Sequence, residues 1–180
     1  ERALYGQEHN TVIYALDNDL IMLALTLGLE NLFLFRESTE YGAFAMIHEG
    51  RRYLYMDIAE LEEALIQNFR ESYGCAKIEG EAAKRRYIND YVFLGFLLGN
   101  DFLHHIPSLS IQHNGVDYVI NLYTSCLHRV QDYLLSKVGN RTQINNNFLK
   151  MMDWHVWLLG WRQIKALYLR FQRKFVLVRV

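Results

Sequence analysis

The apolar positions of this chain change period several times, and each change marks an element. Residues 11–16, Thr-Val-Ile-Tyr-Ala-Leu, form a continuous apolar run of strand length and read as a buried β-strand ending at Asp17. Residues 20–27 carry the apolar pattern on as a helix, and residues 32–35 read as a second strand. Alternating around His48-Glu49-Gly50-Arg51, residues 44–47 and 53–56 predict a hairpin with a glycine-containing turn. Asp57 then stands three residues before Glu60, the spacing of a helix cap and its partner. Leu61, Ala64, Leu65 and Phe69 give the following helix its apolar stripe, and Gly74 predicts its end.

Residues 75–83 read as a loop. The next helix, over residues 84–98, is apolar on every side in its second half and must be buried. Gly99 and Asn100 break it; both tolerate left-handed backbone, so this turn can aim the next side chain, Asp101, back toward the first strand. Residues 116–135 predict another long helix, with Val119, Ile120, Tyr123, Leu127, Val130 and Leu134 along one side. No internal repeat is present, and Asn145-Asn146-Asn147 is too short to be low complexity. The pattern is that of an α/β first part followed by a mainly α-helical segment.

Composition sharpens this picture at three points. With 180 residues, 51% of them hydrophobic, the chain can bury a sizeable core, and its length permits one or two domains. The formal net charge of −1 conceals an asymmetry: residues 1–82 carry 6 Lys/Arg against 15 Asp/Glu, and residues 83–180 carry 13 against 5. A basic half beside an acidic half suits a protein that holds a phosphate backbone with one surface and a metal with another; a solvated helix face gives the same count. Cys75 and Cys126 form no Cys-x-x-Cys and no disulfide framework, which favours a reducing, intracellular compartment, cytoplasmic or nuclear. No apolar run is long enough to predict a membrane span.

The candidate chemistry lies in the carboxylates. Asp17 and Asp19 follow the first strand, at the end where open α/β sheets bind ligands, and in extended backbone residues i and i+2 point to the same side. With Asp101 they make three candidate ligands for one divalent-cation site. All-oxygen donors suit Mg²⁺ (or Mn²⁺), whereas Zn²⁺ prefers His and Cys. Two such ions roughly 3.5–4 Å apart hold an attacking water and a phosphate leaving oxygen in line, which is phosphodiester hydrolysis. Taken alone, an Asp-x-Asp after a strand is more often a turn that caps the next helix than a metal site.

Several separated blocks resemble one family. Residues 10–25, containing Val-Ile-Tyr-Ala-Leu-Asp-Asn-Asp-Leu-Ile-Met-Leu, are similar to the Gly-Leu-Asp-Ala-Asp-Leu-Ile-Met-Leu block of the XRN-type 5′→3′ exoribonucleases. Residues 89–111, with Phe-Leu-Leu-Gly-Asn-Asp-Phe-Leu-His-His-Ile-Pro-Ser-Leu at their centre, resemble a second and more specific block of that family. Residues 33–37 are similar to its Leu-Arg-Glu strand, and residues 115–123 to the helix that follows, so the likeness covers about residues 10–125 in the family's order. The resemblance implies a partial PIN-like, 5′-nuclease-type sheet over residues 1–112 and a helical continuation over 113–180, with an atypical tail from about 154. It implies that Asp17, Asp19 and Asp101 bind Mg²⁺ or Mn²⁺ in an enzyme that degrades RNA with a 5′-monophosphate to mononucleotides.

The chain departs from the family at Ala15 for Gly, Asn18 for Ala and His104 for Pro. The family's other acidic ligands and its basic residues for the 5′-phosphate lie upstream of Glu1, which implies that the missing upstream part of the nuclease domain is a partner and that this piece alone has little activity. His104 and His105 are adjacent, diverge, and read as structural rather than as ligands. Asp90 matches an acidic family position but, in a helix before an apolar run, reads as structural; Lys84-Arg85-Arg86 reads as solvated surface; Tyr53, Tyr55, Tyr87 and Tyr91 read as core rather than base-stacking platforms. Residues 154–180 hold six Lys/Arg, no Asp or Glu, and Trp154, Trp157 and Trp161. They read either as a basic amphipathic helix or as a segment cut from its natural continuation, the second favoured because the resemblance fades before them. Two other functions stay open: a flap-type, structure-specific DNA nuclease, which shares strand-borne aspartates, and a non-catalytic RNA-binding scaffold.

Overall fold

The structure is a computed structural model that describes residues 9–14, 16–37, 53–73, 79–100, 109, 114–138 and 141–152. The chain divides into two compact units, residues 1–68 and 69–180.

In the first unit, β1 (Thr11–Tyr14), α1 (Asp19–Leu27), β2 (Leu32–Glu37), β3 (Tyr53–Asp57) and the start of α2 (Ile58–Tyr73) follow in order. The three strands form a sheet in the order β1-β2-β3. β1 runs parallel to β2, with Val12 opposite Phe33 and Tyr14 opposite Phe35, as a β-α-β crossover through α1 requires. β3 is antiparallel to β2, with Phe35 opposite Tyr55 and Glu37 opposite Tyr53. α1 ends where Gly28 takes a left-handed φ of 63°, a conformation that costs a side-chain-bearing residue. β3 passes straight into α2 because the Asp57 carboxylate accepts the amides of Ala59 (2.9 Å) and Glu60 (3.2 Å), the cap expected from the sequence. The expected partner strand over residues 44–47, and Gly74, lie outside the described residues.

The two faces of this sheet differ. Leu32 and Leu34 are buried, as are Ala24 and Leu25 of α1. On the other face Val12, Tyr14, Tyr53 and Tyr55 stay 52%, 57%, 45% and 67% exposed, and Phe35 lies among Tyr14, Tyr53 and Tyr55 at ring separations of 5.8, 5.3 and 4.8 Å. The first strand is thus shorter than the apolar run suggests and buried on one face only. Tyr53 and Tyr55 are surface aromatics rather than core, because strand alternation sends them to the open face.

In the second unit α3 (Glu81–Leu97) is followed by α4 (Gly115–Val130), the hairpin of β4 (Leu135–Val138) and β5 (Arg141–Ile144), and α5 (Asn146–Met151). α3 starts three residues before the expected position, where Lys84 reaches back to Glu81 in an i,i+3 ion pair. Its second half is buried all round, through Val92, Phe93, Leu94, Phe96 and Leu97, as its pattern demands. Gly99 after it is left-handed, with φ 95°. Tyr87, Phe69, Tyr123 and Phe148 form an aromatic core, with Phe69 and Phe148 at 4.4 Å from Tyr87 and 5.4 Å from Tyr123 respectively.

α4 stops five residues short of the predicted end. Gln131 is left-handed (φ 56°) and closes the helix by donating its amide to the Leu127 carbonyl. The amides of Leu134 and Leu135 go instead to the Asp90 carboxylate at 2.7 and 2.8 Å, so Leu134 is buried in a turn and Leu135 at the start of β4, not on a helix face. The β4–β5 hairpin went unread in the sequence, although Gly139-Asn140 between two short runs is a two-residue hairpin signal. Asn145 caps α5, its Oδ1 accepting from Asn147 (3.0 Å) and Phe148 (3.4 Å). Among the described residues no helix is long and apolar enough to cross a membrane.

Candidate functional site

The acidic turn sits between β1 and α1. β1 ends at Tyr14, Asn18 is already helical (φ −68°, ψ −26°), and Asp19 is the first residue of α1. The two aspartates therefore do not share a side by strand pleating, as the extended reading assumed. They are brought together by a tight turn in which the Asp17 Oδ1 accepts the Asp19 amide at 3.0 Å. The Asp17 and Asn18 carbonyls then accept the Leu20 (3.3 Å) and Ile21 (3.1 Å) amides, which starts the helix. Asp17 is exposed; Asp19 is half-buried, with its Oδ2 shielded from solvent.

One oxygen of Asp17 thus caps a helix, yet a carboxylate keeps further lone pairs for a ligand, so capping and ligation are compatible. Two carboxylates are hard oxygen donors and fit Mg²⁺ or Mn²⁺ by type. Among the described residues no group of three or more His, Cys, Asp or Glu side chains gathers as a metal site. Asp101 lies outside the described residues, as do His104, His105, Cys75 and the tryptophan-bearing tail.

One neighbour of the turn escaped the sequence reading. Arg36, near the end of β2, donates its Nη2 to the Leu16 carbonyl (3.3 Å) and to the Asn18 Oδ1 (3.1 Å). The Leu-Arg-Glu likeness pointed at this residue, but only as part of a strand. Its reach to Asn18 depends on the parallel pairing of β1 with β2.

The remaining candidates resolve as structure. Asp90 is wholly buried and accepts from the Tyr123 hydroxyl (2.8 Å) as well as from the two amides. Burial pushes its carboxyl up to about 7 against the pull of those donors and of Arg86, and pushes the Tyr123 hydroxyl well above its usual range. Arg86 is part-exposed, and its guanidinium is engaged as well as solvated: it pairs with Asp132 and lies 4.3 Å over the Tyr133 ring. Tyr87 is core, as expected, and Cys126 is a buried free thiol whose pKa is raised by desolvation.

Comparison with known proteins gives the chain its relatives. The family model described as the Xrn1 helical domain matches residues 82–155. The 5′-3′ exoribonuclease 2 of Yarrowia lipolytica is 30% identical over 130 residues, which is 72% of this chain and 13% of that protein. The human 5′-3′ exoribonuclease 1 is 29% identical over 151 residues, 74% of this chain and 8% of that protein. A 5′-3′ exoribonuclease 2 homolog of Drosophila melanogaster is 32% identical over 83 residues, 46% of this chain and 9% of that protein. The chain spans about an eighth or less of the length of these relatives.

Proposed function

We propose, from the premise that homology places this chain in the Xrn-type 5′→3′ exoribonuclease family, that it forms part of the catalytic core of a metal-dependent exoribonuclease acting on RNA with a 5′-monophosphate and releasing mononucleotides. In this reading residues 1–112 end the nuclease domain, residues 113–180 belong to the mainly helical region that follows it, and Asp17, Asp19 and Asp101 hold Mg²⁺ or Mn²⁺. The observation that carries it is the placing of Asp17 and Asp19 on one tight turn at the carboxyl end of β1, in the block that resembles the exoribonucleases' Asp-Ala-Asp segment. A divalent ion held by these carboxylates would supply a water of lowered pKa and positive charge against the scissile phosphate. The chain itself contributes two carboxylates, one of them oriented by the Asp19 amide. No side chain in this scheme acts as a nucleophile.

The test uses the full-length protein with Mg²⁺, supplied with 5′-monophosphate RNA, 5′-hydroxyl RNA and flapped DNA. Hydrolysis selective for the first, abolished by Asp101→Ala with RNA binding retained, is the expected result. Unchanged turnover in Asp101→Ala removes that residue from the site. Preference for flapped DNA substitutes the structure-specific DNA nuclease, and RNA binding without any hydrolysis substitutes the scaffold.

A further inference from the structure

We propose that Arg36 is a positioning residue for the acidic turn, gripping Asn18 and the Leu16 carbonyl so that the Asp17 and Asp19 carboxylates are held ready for a divalent cation. The inference rests on the metal-dependent reading above. Its observation is separate: a single guanidinium nitrogen joins the end of β2 to the two residues that flank Asp17, at 3.3 and 3.1 Å. Both acceptors are neutral, so the arginine's charge is not consumed in an ion pair with either of them. The turn it clamps is short and polar, with Leu16, Asp17 and Asn18 all exposed, so little apolar packing holds it. Without the clamp, what fixes Asp17 is its own bond to the Asp19 amide and the first hydrogen bonds of α1, and helix ends fray.

Asn18 gives the clamp a feature particular to this chain. The resembling family block has alanine at this position, which offers no side-chain acceptor, whereas here the amide oxygen takes up an arginine hydrogen bond. Arg36 is the partner and Asn18 the handle. The energetic scale is that of groups that orient metal ligands from outside the coordination sphere, whose removal weakens metal binding about 10- to 100-fold.

Arg36→Ala, Arg36→Lys, Asn18→Ala and the double variant Asn18→Ala/Arg36→Ala, made in the full-length protein, test this by Mn²⁺ binding read from the EPR signal of free Mn²⁺ without RNA. Thermal unfolding and turnover on 5′-monophosphate RNA are measured beside it. Expected are Mn²⁺ affinity reduced about 10- to 100-fold in Arg36→Ala at a nearly unchanged unfolding temperature, and turnover recovered at high Mn²⁺. The double variant is expected to bind Mn²⁺ no more weakly than Arg36→Ala, since both changes cut the same bond. Arg36→Lys should remain impaired, because the lysine ammonium ends short of the Nη2 position that makes both bonds; full rescue by lysine would show that a nearby positive charge suffices and overturn the positioning role. Wild-type Mn²⁺ affinity in Arg36→Ala overturns the inference while leaving the nuclease intact. A wild-type protein that neither binds Mn²⁺ nor degrades RNA overturns the functional reading, and the inference with it.

Discussion

Asp90 shows how much one side chain can organise at a distance. Its two oxygens receive the Tyr123 hydroxyl and the Leu134 and Leu135 amides, from residues 33, 44 and 45 positions away. Asp90→Asn turns an amide donor toward those donors and leaves a buried N–H or O–H without an acceptor, a loss of about 1–3 kcal/mol. Because the folded carboxyl is raised to about 7, the native state holds a proton that the unfolded chain releases near pH 4. The stability from this group is present below about pH 4 and lost as pH rises toward about 7. Hydrogen exchange at the Leu134 and Leu135 amides should therefore quicken from pH 4 to 7 beyond the intrinsic rate, and Asp90→Asn should abolish that excess. The structural role of Asp90 was legible from its place in a helix that must be buried. Its partners were not, because the contacts join segments that no local pattern connects. The same reason hid Arg86 behind an expectation of solvation and left Arg36 and Asn18 unread.

At the scale of elements, strong local signals carried the reading and weak ones lost to tertiary demands. The Asp57 cap, the all-round apolar half of α3 and the two strands of the β-α-β unit were legible because each is a short-range pattern with its own period. The extension of α4 to residue 135 failed because the apolar residues Leu134 and Leu135 suit a helix face and a buried turn equally well; Asp90 decides between them. Asn145 then holds the turn and α5 together: it caps the helix, and its Nδ2 donates to Asp132 Oδ2 (3.2 Å) and the Tyr133 carbonyl (3.3 Å). Asn145→Ala should cost about 1–2 kcal/mol in chemical unfolding. Asn145→Asp, which keeps the cap, should also destabilise, because it sets a second carboxylate against Asp132. A neutral outcome for the aspartate would mean that the cap alone matters.

For the molecule as a whole, the sequence placed an α/β part before a helical part, and the two units of the structure have that character. What it did not foresee is the aromatic face of the first sheet, since an uninterrupted apolar strand looks the same whether one or both faces are covered. In the 180-residue chain Val12, Tyr14, Tyr53 and Tyr55 stand exposed together on this face, so sedimentation should show concentration-dependent self-association, reduced by Tyr14→Lys with Tyr55→Lys. An unchanged sedimentation profile would show that the face is not sticky. The Asp90 junction has a different consequence, for how this fold tolerates insertions. By tying α3 both to Tyr123 within α4 and to the amides just beyond its end, the carboxylate works as a ruler laid along α4. One residue added between Tyr123 and Gln131 would swing everything beyond it by about 100° around the helix axis and carry the turn out of reach. One added between Val138 and Arg141, at the tip of the hairpin, would meet no such gauge. Changes in length across this unit are therefore confined to its loops, while the helix between its two fixed points keeps its count.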